Sequence, residues 1–127
     1  MQKVSTDEAT VSASYVLDGL LTSQKQYRIN LTNDFDFVVV DSKNLTKAKD
    51  ISTTVELYRG TSKIGLKTIT ATCDVGNIIP TCDTTGAVSI SIGDGIDLYD
   101  KKSITCTITV EDNDGYKDSI LFIIRVT

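Results

Sequence analysis

Apolar and polar residues alternate with period two along most of the chain, in short segments. Val11, Ala13, Tyr15 and Leu17 form the first such set, and Tyr27, Ile29 and Leu31 the second. Phe35, Phe37 and Val39 follow, with Val38 and Val40 on the other face. Val55 and Leu57 share one face of a segment from Thr53 to Arg59. Ile69, Ala71 and Cys73 oppose Thr68, Thr70 and Thr72. Val88, Ile90 and Ile92 alternate with serines, and Ile104, Cys106, Ile108 and Val110 with threonines. The last segment reads Ile120, Phe122, Ile124 and Val126, with Leu121 and Ile123 on its other side. Side chains of a strand point alternately to its two faces, so each set predicts a strand with one buried face.

Turn-forming residues separate these segments at Asn33-Asp34, Asp41-Ser42, Arg59-Gly60, Asp74 to Gly76, Thr85-Gly86, Gly93 to Gly95 and Asn113 to Gly115. The run from Glu111 to Gly115 reads as a hairpin loop. At most one helical turn is expected, over Lys47 to Ile51. Seven or eight short strands without a helical layer predict an all-β fold, an antiparallel sandwich. With 18 Thr, 14 Ile and 11 Val, a third of the 127 residues are β-branched and suit a pleated surface. Residues 1–25 differ from the rest and read as a linker or an extra edge strand before a sandwich over 26–127.

Charge and cysteine content narrow the function. The net charge of −4 disfavours a phosphate backbone as partner, and the densest basic group, Lys43, Lys47 and Lys49, is interleaved with Asp41 and Asp50. No apolar run approaches the ~20 residues of a membrane span, and Met1 to Thr10 is too polar for a signal peptide. Retention in the cytosol or excision from a longer protein is therefore expected. Cys73, Cys82 and Cys106 make an odd count, read as reduced, small apolar fillers, with pairing of any two left open.

Catalysis is not expected, because the chain has no His and its 14 Asp against 3 Glu is a balance typical of turns. Asp94, Asp97 and Asp100 lie close together, but in a Gly-rich loop with no cleft implied. Asp112, Asn113 and Asp114, with Asp94 and Asp97, offer hard oxygens to calcium, but fall short of its six to eight ligands. No catalytic, cofactor or metal residue is assigned. The sequons at Asn30 and Asn44 read as chance, and Tyr15, Tyr27, Tyr58, Tyr99 and Tyr116 as ordinary half-buried tyrosines, with Tyr99 and Tyr116 near loops.

From Tyr27 onward the order of features resembles a known family. The opening Tyr27-Arg28-Ile29-Asn30-Leu31-Thr32-Asn33-Asp34 precedes Val55-Glu56-Leu57-Tyr58-Arg59-Gly60-Thr61-Ser62-Lys63, and the chain ends in two strands, Ser103 to Glu111 and Ser119 to Thr127. This is similar to immunoglobulin-like modules in tail fibres and other tail-associated proteins of bacteriophages and prophages. The resemblance covers residues 26–127 and implies an immunoglobulin-like sandwich. The implied role is a structural or adhesion module of a virion, a rigid spacer or a decoration or attachment domain. Implied partners are other virion proteins, copies of itself or a host cell-surface glycan, with assembly in the bacterial cytoplasm. A host-surface receptor module and a bacterial adhesin or pilus repeat at the cell surface are the alternatives.

Overall fold

The computed structural model describes residues 26–127. The alternating segment Val11 to Leu17, and with it the expected N-terminal linker or edge strand over 1–25, lies outside the described residues. Two compact units are distinguished. In the smaller, residues 26–28 and Arg59–Ser62 come together: the Gly60 amide donates to the Gln26 carbonyl at 3.0 Å, and the Arg59 guanidinium sits 5.3 Å from the Tyr27 ring centre. The larger comprises Ile29–Tyr58 and Lys63–Thr127 and holds the sandwich.

Nine strands are formed among the described residues: β1 (Tyr27–Leu31), β2 (Phe35–Val38), β3 (Lys49–Arg59), β4 (Ser62–Ile64), β5 (Leu66–Cys73), β6 (Thr81–Cys82), β7 (Ala87–Ile92), β8 (Ser103–Asp112) and β9 (Lys117–Val126). One sheet has the order β1-β3-β7-β6, with β4 also paired to β3, and the other the order β2-β9-β8-β5. Taking β1, β3, β7 and β6 as A, B, E and D, and β5, β8 and β9 as C, F and G, this is the strand order of an immunoglobulin-like sandwich. The short β4 and β6 bring the count above the seven or eight expected. The sandwich also departs from a purely antiparallel one, because β2 pairs parallel to β9.

Alternation became burial on the strands the sequence made clearest. Val55 and Leu57 of β3, Val88, Ile90 and Ile92 of β7, Ile104 to Val110 at every second position of β8, and Phe122 and Ile124 of β9 are buried. Each such side chain contributes about 1.5–3 kcal/mol on leaving water. The helical turn expected over Lys47 to Ile51 is instead the start of β3, which runs from Lys49 in register with β7 from Lys49↔Ile92 to Thr54↔Ala87. Ile51 and Thr53 continue its buried face, and that period-two burial overrode local helix propensity.

Two buried threonines hold the places where the ladders break. Between β1 and β2 the chain crosses from one sheet to the other. There the Thr53 hydroxyl donates to the Asn33 carbonyl at 2.6 Å, and the Thr32 amide donates to Thr54 O at 2.9 Å. At one end of the sandwich, the Thr46 hydroxyl donates to Gly93 O at 2.6 Å and accepts the Ile96 amide at 3.0 Å. These bonds tie the loop after β2 to the loop after β7, and they satisfy backbone groups that would otherwise be buried without partners.

Candidate interaction face

The outer surface of the β2-β9-β8-β5 sheet carries the largest departure from an ordinary solvent face. Val38 is fully buried, and the two-residue period then sends Phe35, Phe37 and Val39 outward, 65%, 47% and 43% exposed. The parallel register sets Phe35 beside Ile123 and Phe37 beside Arg125. Leu121, 52% exposed, extends the apolar strip along β9. Next to it, Thr105, Thr107 and Thr109 of β8 stand opposite Ile123, Leu121 and Ser119, and Thr72 and Thr70 of β5 continue those last two rows. The result is a strip of phenylalanine and aliphatic side chains bordered by a flat field of threonines. Asp34, Phe35, Ile123 and Arg125 line a shallow concavity on this face.

Lys49 orders one margin. Its ammonium lies 2.8 Å from Asp36 Oδ1 and 3.5 Å from the centre of the Phe37 ring. Chiefly through that hydrogen bond, it holds the Asp36 carboxyl below the usual carboxylate range, against partial desolvation and with help from the Phe37 amide.

The carboxylates considered for chemistry are dispersed and engaged by backbone. Asp94 Oδ1 accepts the Ala48 amide at 2.7 Å, and Asp97 Oδ1 the Tyr99 amide at 2.8 Å. Asp100 is exposed. Asp112, almost fully buried, accepts the amides of Asp114 and Tyr116, each at 2.9 Å, and so builds the β8–β9 hairpin around Asn113 and Gly115. Among the described residues no group of three or more His, Cys, Asp or Glu is placed to hold a metal ion. Of the tyrosines, Tyr99 is 74% exposed, whereas Tyr116 is half-buried, with its hydroxyl on Asp118 Oδ2 at 2.9 Å. Asn30 Nδ2 donates to Glu56 Oε1, and Asn44 takes a left-handed φ of 64° in its turn.

The cysteine expectation is overturned. Cys73 and Cys106 are joined in a disulfide across the β5–β8 ladder, their Cα atoms 4.1 Å apart and directly in register. They sit on the inward face of adjacent strands in one sheet, whereas antibody domains bridge B to F across the two sheets. Period-two burial brought two small apolar-like residues to one ladder position, which the sequence count could not foresee. Cys82 alone is free; its thiol donates to Ile69 O at 3.4 Å, and burial, with Asp83 beside it, raises its pKa.

The face of Phe35, Phe37, Leu121 and Arg125 was not foreseen as a site. Its signal was nonetheless present: residues 35–40 and 120–124 are apolar at both parities, so one apolar set must face outward once the other is buried.

The strand order places the chain among immunoglobulin-like β-sandwich domains. No family model matches the sequence, and no curated protein matches it. Among solved structures it is similar to a mutant of the SrpA adhesin from Streptococcus sanguinis, with 12% identity and a TM-score of 0.48 over 80% of this chain. The chain spans 58% of that adhesin chain's length.

Proposed function

We propose that the chain is a non-enzymatic immunoglobulin-like module of a phage virion, in a tail fibre, tail-associated or decoration protein. It works as a rigid spacer or in attachment to the host surface. One observation carries the non-enzymatic reading: the carboxylates of Asp41, Asp74, Asp83, Asp94, Asp97 and Asp112 each accept backbone amides in turns and loops spread over the molecule. They are spent on shape instead of converging on a substrate. The sequence resemblance over residues 26–127 supports the virion assignment, and the broad outer sheet face offers a flat surface to other virion proteins, to copies of the chain or to a host glycan. Assembly takes place in the bacterial cytoplasm, and the Cys73–Cys106 bond closes once the particle meets an oxidising medium.

The same disulfide favours a second reading, a bacterial surface adhesin or pilus repeat that is exported before it folds. Fractionation of the source culture separates the two. After induction of any resident phage, density-gradient particles and cell-wall extracts are probed with an antibody to this domain. Signal banding with tailed particles is the expected result; signal confined to the wall fraction selects the adhesin. A glycan array with the purified domain then divides spacer from attachment module, because a spacer binds nothing.

A further inference from the structure

We propose that the outer face of the β2-β9-β8 strands docks a second copy of this chain about a twofold axis. This rests on the structural-module reading above, and it names the partner of that face. The apolar surface is the first support. At roughly 150–250 Å² per aromatic side chain, Phe35 and Phe37 alone leave about 200 Å² of ring in solvent. Leu121 and Val39 add to it, taking the strip to the few hundred Å² at which an exposed apolar patch marks an interaction site.

The charges decide what kind of partner fits. Asp34 and Arg125 are exposed and line the same concavity as Phe35 and Ile123. Neither makes an ion pair among the described residues. Along β2 and β9 they lie at opposite ends of the Phe35↔Ile123 row: Asp34 precedes Phe35, and Arg125 follows Ile123 by two positions. The patch is therefore acidic at one end, apolar in the middle and basic at the other. A twofold axis in the plane of the face, crossing the strands at the Phe35–Ile123 row, reverses strand direction. It lays Arg125 of each copy on Asp34 of the other while the apolar centres meet. A patch of this form is complementary to itself, which is what an isologous interface demands. A partner of single-sign charge, such as an acidic polysaccharide, matches only one end. The threonines beside the strip carry no charge and need little desolvation, so they suit the rim of such a contact.

The test is a charge swap read by sedimentation velocity on the full chain, from about 1 µM to 1 mM, the range that brackets weak association. The wild type is expected to show a concentration-dependent monomer–dimer equilibrium. Asp34→Arg and Arg125→Asp, both at exposed positions that leave the core intact, each weaken it about tenfold or more through like-charge contact. The double variant with both changes restores it to within about threefold, because the pair is re-formed with the signs exchanged. Leu121→Lys, which puts a charge into the apolar strip without touching either partner, also weakens the dimer. A wild type that stays monomeric throughout, a dimer indifferent to the single reversals, or a double variant no better than the singles overturns the proposal. In the first case a positive particle-fractionation result leaves the module reading standing with a different partner.

Discussion

Reduction of the Cys73–Cys106 disulfide perturbs this protein without altering a single side-chain packing choice beyond the sulfur–sulfur bond. The cross-link closes a loop with a sequence separation of 33. Removing that loop's closure entropy from the unfolded chain stabilises the fold by about 3.7 kcal/mol at 25 °C in the chain-entropy account. For a domain of this size that corresponds to a Tm about 10–20 °C higher for the oxidised form. Cys106 has no solvent exposure and Cys73 is only partly accessible. Reductant therefore acts slowly on the native state, so the reduced form is prepared by unfolding in denaturant with reductant and refolding without air. Urea unfolding of both forms, followed by circular dichroism, gives the difference directly. The oxidised form also unfolds with a smaller m-value, because its unfolded chain stays more compact. Cys73→Ala combined with Cys106→Ala serves as control, since its midpoint does not respond to reductant. Oxidised and reduced wild type of equal stability, within about 0.5 kcal/mol, would refute the reasoning and return these residues to the role of small apolar fillers.

Three further outcomes follow from the turns. Gly86 has φ +97°, and a Cβ there would run into the Val55 carbonyl oxygen, so Gly86→Ala costs about 2–4 kcal/mol in urea unfolding. Gly115→Ala, at φ +88° but facing open space, loses only about 1–2 kcal/mol, and equal losses at the two sites contradict the clash. Thr46→Val keeps the shape but removes the hydroxyl that bonds Gly93 O and the Ile96 amide. It destabilises by about 1–3 kcal/mol, and a neutral result would mean water replaces both bonds. Acid weakens the fold through Asp36, Asp41 and Asp83. Asp41 is held below its ordinary 3.8 by the amides of Leu45 and Lys43, Asp83 by the Thr85 hydroxyl and amide, and Asp36 by Lys49. Since folding lowers these values, their stabilisation is complete above the unfolded value of about 4 and is lost as the pH falls through the folded ones. The urea midpoint stays level from about pH 7 to 5 and drops below 4; Asp41→Asn with Asp83→Asn flattens that drop, and an unchanged slope contradicts the assignment.

Legibility in the sequence followed the contrast between parities. Where one parity is apolar and the other Ser or Thr, as at Val88 to Ile92 and Ile104 to Val110, only one face has anything to gain from leaving water, so the strand and its buried side were readable together. The turn residues were readable for a similar local reason: Asp41, Asp83 and Asp112 accept amides two to four positions away in their own loops. The interaction face was not readable in this way, because residues 35–40 are apolar on both parities and either choice satisfies the pattern.

The amino-acid order by itself therefore determined an all-β chain, the strands that supply most of the core, and the use of Asp at turns, because each of these depends on neighbours within a few residues. Tertiary structure decided what depends on distant partners. It put Val38 inside and Phe35 and Phe37 outside by pairing β2 with β9, brought Cys73 to Cys106, and turned 49–52 into strand by pairing it with β7. Such pairings are settled by whole-sheet register, where one buried face must satisfy every strand at once, and no local window of sequence contains that condition.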